Sequence, residues 1–151
     1  MSQLSKRKVE RYLDMARNAS LKSDFPKHKL GAIAIYKGSL LASGANSVKT
    51  SPVQKKYNFV REYQVNANYK HTNCVHAEIN CLNKIKFLDI DFSKVTLFVY
   101  REHKNGVKGL ARPCPACSQM IRDMGIKTVW YTTENGYCME CFDWKEKGIA
   151  K

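Results

Sequence analysis

Two short apolar runs bracket a segment with a proline at its start and a glycine at its end. No other feature of the chain limits its fold as much. Val95 to Tyr100 holds six β-branched, aromatic or apolar residues and no charge, so it reads as a buried strand. Pro113 to Met124 reads as a helix, with proline in the opening turn, where a missing N–H costs nothing. Gly125 stands where a helix C′ glycine belongs, and Ile126 to Tyr131 is a second buried-looking strand. Strand, helix, strand with short connections is a crossover unit. Strands over 95–100 and 127–132 are therefore expected to be parallel neighbours, with the helix packed on one face.

The first third of the chain adds to this sheet. Leu4 to Leu21 is expected to form a helix, because Val9, Tyr12, Leu13, Ala16 and Ala19 recur at spacings of three and four, and Pro26 lies beyond its end. Leu30 to Tyr36 and Leu40 to Ala45 are apolar runs separated by Lys37, Gly38 and Ser39, the pattern of a hairpin. Val75 to Phe87 reads as another helix. A hairpin beside a crossover makes the sheet mixed, and the fold class is α/β in three layers. No repeat, low-complexity stretch or linker divides the 151 residues, so one domain over 1–151 is expected.

Charge is the second strong feature. The formal net charge is +13, and it is uneven: residues 1–73 hold 14 Lys or Arg against 4 Asp or Glu, residues 74–151 hold 12 against 9. Such a balance speaks of polyanionic partners and says nothing of fold. No apolar run is long enough to span a bilayer, and the charged N-terminus MSQLSKRKVE has no apolar core of a secretory signal, so a cytoplasmic protein without membrane contact is expected. All six cysteines fall after residue 73. In a reducing compartment two Cys-x-x-Cys pairs point to metal or redox chemistry ahead of disulfides.

The chemistry concentrates in His76-Ala77-Glu78 and Pro113-Cys114-Pro115-Ala116-Cys117, each at a helix start. Cys114 and Cys117, three apart on a first helical turn, point their sulfurs the same way. The free N–H groups and dipole there favour thiolates, the form that binds zinc. One imidazole from a neighbouring helix makes His76, Cys114 and Cys117 a three-ligand set. Three ligands leave the fourth tetrahedral position open, as catalytic zinc requires. Glu78, two residues from the histidine, suits a general acid–base beside that position.

In this order the residues resemble the zinc-dependent cytidine and deoxycytidylate (dCMP) deaminase family, whose mark is His-x-Glu followed by Pro-Cys-x-x-Cys. The segments HAEINCLNK, RPCPACSQMIRDMGIKTVWY and YLDMARNASLKSDFPKHKLGAIAIYKGSLLASGANSVKTSP are similar to its dCMP branch, and the similarity spans most of residues 10–132. The resemblance implies a mixed sheet of about five strands with helices on both faces. It implies one Zn2+ and hydrolytic deamination of a cytosine nucleotide to the uracil nucleotide and ammonia, with Glu78 carrying protons. It further implies substrate contacts from Asn46, Ala77 and Tyr131, the last at the end of its strand, and assembly into a homo-oligomer. Asn80 follows Glu78 as in the dCMP branch.

Other readings stand beside these. Each fragment alone fits a structural zinc, a redox pair or an ordinary histidine, and a structural zinc with a fourth ligand elsewhere remains open. Residues 46–73 are polar, basic and aromatic with weak periodicity, fitting a functional loop or one partly ordered by its own helix. In the insertion 49–73, Lys49, Lys55, Lys56, Arg61 and Lys70 alternate with Tyr57, Phe59, Tyr63 and Tyr69, and only Glu62 is acidic. Cations interleaved with aromatics characterise single-strand binders, whereas the plainer reading is a solvated insertion whose aromatics pack onto the domain or a sister subunit. A polynucleotide cytosine or adenine deaminase acting on single-stranded DNA or RNA, and a non-catalytic zinc domain, are the alternatives. Glu78 weighs against the last. Cys138 and Cys141 read either as a second metal hook, with His71, Cys74 or His103, or as two thiols in a late strand or loop. Cys81 is expected in the core.

Overall fold

The computed structural model describes residues 4–25, 28–49, 51–64, 75–103 and 105–142, with the side chains of 59–64 excepted. Helix α1 (Lys6–Ser20) is followed by strands β1 (His28–Tyr36) and β2 (Ser39–Ala45), helices α2 (Pro52–Gln64) and α3 (Ala77–Asn83), and β3 (Val95–His103). Helix α4 (Pro115–Met124), β4 (Thr128–Thr133) and β5 (Gly136–Cys141) complete the order. The strands form one sheet in the order β2-β1-β3-β4-β5. β3 and β4 pair in parallel and every other pair is antiparallel, so the expected crossover and the mixed sheet are both present.

Alternation along the strands divides the core. Ile33 and Ile35 of β1 with Phe98 and Tyr100 of β3 pack beneath Val9, Tyr12, Leu13 and Ala16 of α1. Ala32, Ala34, Leu97, Val99 and Val129 face the other way, onto Ile79 and Leu82 of α3 and Met120 and Ile121 of α4. That makes three layers, helix, sheet and helices, as period-two strands require when both faces are covered. Among the described residues no helix is long and apolar enough to cross a membrane.

Local chemistry sets the boundaries. Ser5 caps α1 by accepting from Lys8 N at 3.2 Å. The hairpin turns at Lys37 (φ 52°) and Gly38 (φ 80°), two positive angles that match the twist of the flanking strands. Gly125, at φ 88°, ends α4, and Ile126 N returns to the Ile121 carbonyl at 3.1 Å, so β4 begins at Thr128 and not at Ile126. The helix expected over 75–87 is shorter. Val75 is extended because it pairs with Ser47, and beyond Asn83 the chain tightens into turns bonded to the carbonyl three residues back. Gly44 lets α3 lie close against β2, since a Cβ there would stand 2.5 Å from Cys81 N and 2.8 Å from the Ala77 carbonyl.

Candidate active site

Two helix starts on the same side of the sheet meet at the site. His76 is the N-cap of α3 in extended conformation (φ −80°, ψ 154°), and Cys114 is the N-cap of α4, with Pro115 as the first helical residue. The parallel crossover β3-α4-β4 carries the start of α4 to the start of α3. His76 Nδ1 lies 3.3 Å from Cys117 Sγ and 3.5 Å from Cys114 Sγ, and all three donor atoms lie within 4.8 Å of one another. A tetrahedral zinc with bonds of about 2.0–2.1 Å to nitrogen and 2.3 Å to sulfur separates such atoms by about 3.6 Å. The two nitrogen–sulfur separations are close to that spacing, so the three donors are placed to hold one zinc ion.

The electrostatics suit that ion. A hydrogen bond from Cys117, reinforced by His76 and opposed by burial, holds the Cys114 thiol down at about 4. Cys114 Sγ also accepts from the Cys117 backbone N–H at 3.5 Å, as a cap residue at a helix start does. Glu78 stands in the first turn of α3 and is 3% exposed. Burial pushes its carboxyl up to about 7 against the pull of His76. Its Oε1 is buried with no hydrogen-bond partner among the described residues. A buried acceptor left unpaired is costly, and this one lies beside the three donors, close enough to feel His76, Cys114 and Cys117.

The remaining candidates are dispersed. Asn46 is buried and occupied: its Oδ1 accepts from Ser23 Oγ and from Leu30 N at 3.0 Å, and its Nδ2 donates to the His28 carbonyl at 3.2 Å. It lines a cleft of about 330 Å³ at the free edge of β2 with Lys22, Lys49, Asn80 and Lys84. Asn80 Nδ2 donates to the Ala45 carbonyl at 2.9 Å. Ala77 is fully buried, so its methyl is committed to the core. Tyr131 is not at the end of its strand, because β4 runs on to Thr133. Its hydroxyl donates to Glu140 Oε1 at 3.2 Å.

Lys55 and Lys56 lie on the exposed side of α2, with Lys56 Nζ 5.3 Å from the centre of the Tyr57 ring. The backbone of Arg61 belongs to α2, while its side chain, like His71 and Cys74, lies outside the described residues. Part of the insertion is thus a helix with an inward face, a structure its weak apolar periodicity did not specify. Cys138 and Cys141 sit three apart on β5, which turns them to opposite faces, Cys138 half-buried and Cys141 exposed. Among the described residues His76, Cys114 and Cys117 form the one metal-binding cluster. Cys81 is buried, its thiol pushed up to about 12 by burial, as a core residue's should be.

Sequence reasoning missed Gln54, which is 1% exposed and accepts from His76 N at 2.8 Å through Oε1. It also missed Arg112, whose guanidinium meets both oxygens of Glu140 at 2.8 Å immediately before Pro113 and Cys114. The arginine beside the cysteine motif was visible, but its partner 28 residues away was not.

Residues 6–133 match the family model described as the cytidine and deoxycytidylate deaminase zinc-binding region, and the chain belongs to that family. The activity that goes with this membership is zinc-dependent hydrolytic deamination at a C–N bond. Among solved structures, the chain is similar to the dCMP deaminase of cyanophage S-TIM5 in its apo form, with 26% identity, a TM-score of 0.54 and 86% of each chain covered. The same phage enzyme in complex with dCMP and dUMP matches at 24% identity and a TM-score of 0.56, over 87% of this chain and 85% of that one. Cytidine deaminase from Burkholderia pseudomallei shares the fold, with 17% identity, a TM-score of 0.58 and coverage of 92% and 94%. Among curated protein sequences none matches this chain.

Proposed function

We propose that this protein deaminates a cytosine mononucleotide, dCMP first among them, to the uracil nucleotide and ammonia. The observation that carries the reading is Glu78: a buried carboxylate with an unpaired oxygen, in the same turn of chain as His76 and beside Cys114 and Cys117. A structural metal site has no use for such a group. Likeness to the phage dCMP deaminase at 26% identity supports the nucleotide over the bare nucleoside.

His76, Cys114 and Cys117 would hold the zinc, through Nδ1 and two thiolates. Zinc so held supplies Lewis-acid activation of water at neutral pH. Glu78 Oε1 takes a proton from the water that adds to the amine-bearing ring carbon and passes it to the adjacent ring nitrogen. The proton of the new hydroxyl then goes, through the same carboxylate, to the amino nitrogen as the carbon–oxygen double bond forms. The C–N bond then breaks, the ring carbon keeps oxygen, and ammonia departs. Burial raises the Glu78 carboxyl above its ordinary value, which favours a group that both takes up and returns a proton. The α3 and α4 starts fix the two arms of the site, and the covered sheet beneath excludes water from one side.

Substrate contacts are assigned on the same footing. Asn46 has one Nδ2 hydrogen beyond the bond to His28, available to a sugar hydroxyl. Ala77 offers its backbone N–H in the first turn of α3, where no intrahelical acceptor exists. Tyr131 flanks the base. Lys49 in the β2 cleft, with Lys55 and Lys56 on the exposed side of α2, would supply positive charge to phosphate. The test is a substrate panel of dCMP, CMP, deoxycytidine, dCTP and single-stranded oligonucleotides, read by ammonia release. Turnover of dCMP with inert oligonucleotides is expected; turnover of oligonucleotides alone would replace the reading with a polynucleotide deaminase.

A further inference from the structure

We propose that Gln54 is a positioning residue for the zinc ligand His76, and that α2 acts as a brace joining the two arms of the metal site. The proposal rests on the assignment of His76, Cys114 and Cys117 as zinc ligands, but on no particular substrate.

The bonds form a chain. Gln54 Oε1 accepts from the His76 backbone N–H at 2.8 Å, and Gln54 Nε2 donates to Asn58 Oδ1 at 2.8 Å. Both side chains are buried, at 1% and 6% exposure, so no water competes for these groups. The His76 N–H, which can only donate, sets which end of the Gln54 amide faces it, since a flipped amide would put two donors against each other, and Asn58 takes up the other end. The residue before the ligand is held too, since Val75 and Ser47 exchange backbone hydrogen bonds at 2.9 and 3.0 Å. With both consecutive N–H groups fixed, the entry of the chain into α3 is fixed, and with it the direction of the imidazole and of Glu78 two residues on.

The same helix face reaches the other arm. Tyr57, beside Gln54 and Asn58 at helical spacing, donates its hydroxyl to Asp123 Oδ2 at 2.8 Å, on the α4 helix that begins with Cys114 and Cys117. Gln54, Tyr57 and Asn58 face inward while Lys55 and Lys56 face solvent. The insertion therefore does structural work at the metal with one face, whatever its outer face meets. Groups that orient a metal ligand from behind set affinity as well as geometry.

The test uses the full chain carrying Gln54→Met, Gln54→Glu or Asn58→Ala, with Val9→Ala in α1, on the far side of the sheet, as a stability control. Zinc affinity is read by competition with a chromogenic chelator, and ligand geometry by the visible spectrum of the cobalt(II)-substituted protein. Gln54→Met is expected to weaken zinc binding about tenfold to a hundredfold and to alter the cobalt spectrum. Gln54→Glu, which keeps an acceptor for His76 N, is expected to restore most of that affinity. Asn58→Ala is expected to weaken zinc binding to a smaller degree, and it carries the test should Gln54→Met fail to accumulate. Val9→Ala is expected to lower Tm with zinc affinity intact. Zinc affinity and cobalt spectrum unchanged in Gln54→Met, or in Asn58→Ala should it stand alone, would overturn the brace. A wild-type chain that binds no zinc would instead overturn the ligand assignment beneath it.

Discussion

Arg112 and Glu140 form a two-point ion pair: Nε meets Oε1 and Nη2 meets Oε2, each at 2.8 Å. Arg112 stands two residues before Cys114, and Glu140 lies on β5, so the pair ties the entry of the cysteine turn to the outer strand of the sheet. Tyr131 adds its hydroxyl to the same carboxylate. Fork-to-fork geometry is the arrangement in which an arginine–carboxylate pair fixes orientation as well as charge.

Glu140→Gln is therefore expected to lower stability by about 0.5–1 kcal/mol, the range for a half-exposed pair, with a small loss of zinc affinity. The pH dependence has a definite sign. Arg112 holds the Glu140 carboxyl below its ordinary value, so its contribution is present above the unfolded pKa and fades as pH falls through the lowered one. Thermal melts of wild type and variant, separated at pH 7, are expected to converge in acid below about pH 4. A gap that stays constant down to pH 3 would show that the pair does not act through charge.

Tyr57 gives the opposite sign. Burial and the bond to Asp123 raise its phenol to about 12 from an ordinary value of 10. A raised pKa means the protonated form is favoured by folding, so its stabilisation is complete below pH 10 and is lost as pH rises from 10 toward 12. Tyr57→Phe is expected to cost about 1 kcal/mol at pH 8 and progressively less above pH 10. Denaturant titrations at pH 8, 10 and 11 measure the difference.

Cys114→Ala removes a zinc donor and the sulfur that accepts from Cys117 N. It is expected to lose stoichiometric zinc and to melt at lower temperature than wild type, because metal affinity at such a site is part of the folding free energy. Metal content by atomic absorption after dialysis decides it; a full complement of zinc in the variant would show that the ligand set is different.

The parts of this molecule that sequence reveals are those held by patterned apolar residues or by chemistry with a strict order. The β3-α4-β4 crossover follows from two uncharged runs, Pro at a helix start and Gly125 at its end. His76, Glu78, Cys114 and Cys117 are recognisable because they stand in the order and spacing of the zinc-binding deaminase family to which the chain belongs. Helix α2 was obscure for a physical reason: its inward face carries Gln54, Tyr57 and Asn58, which hydrogen-bond where an ordinary helix would bury leucine. Val75 looked helical because its side chain continues the apolar spacing, while its backbone was claimed by Ser47 from 28 residues away. The paired cysteines of β5 lose their look of a metal hook once a strand, with its period of two, separates them onto two faces.

The most direct test of the central claim compares zinc-loaded wild type with Glu78→Gln on dCMP, following ammonia and the uracil product together. Wild type is expected to release one ammonia per dCMP consumed. Glu78→Gln is expected to keep its zinc and to lose turnover by about a hundredfold or more, the share a positioned general acid–base contributes. Undiminished ammonia release by Glu78→Gln, or none from dCMP by the zinc-loaded wild type, would contradict the account.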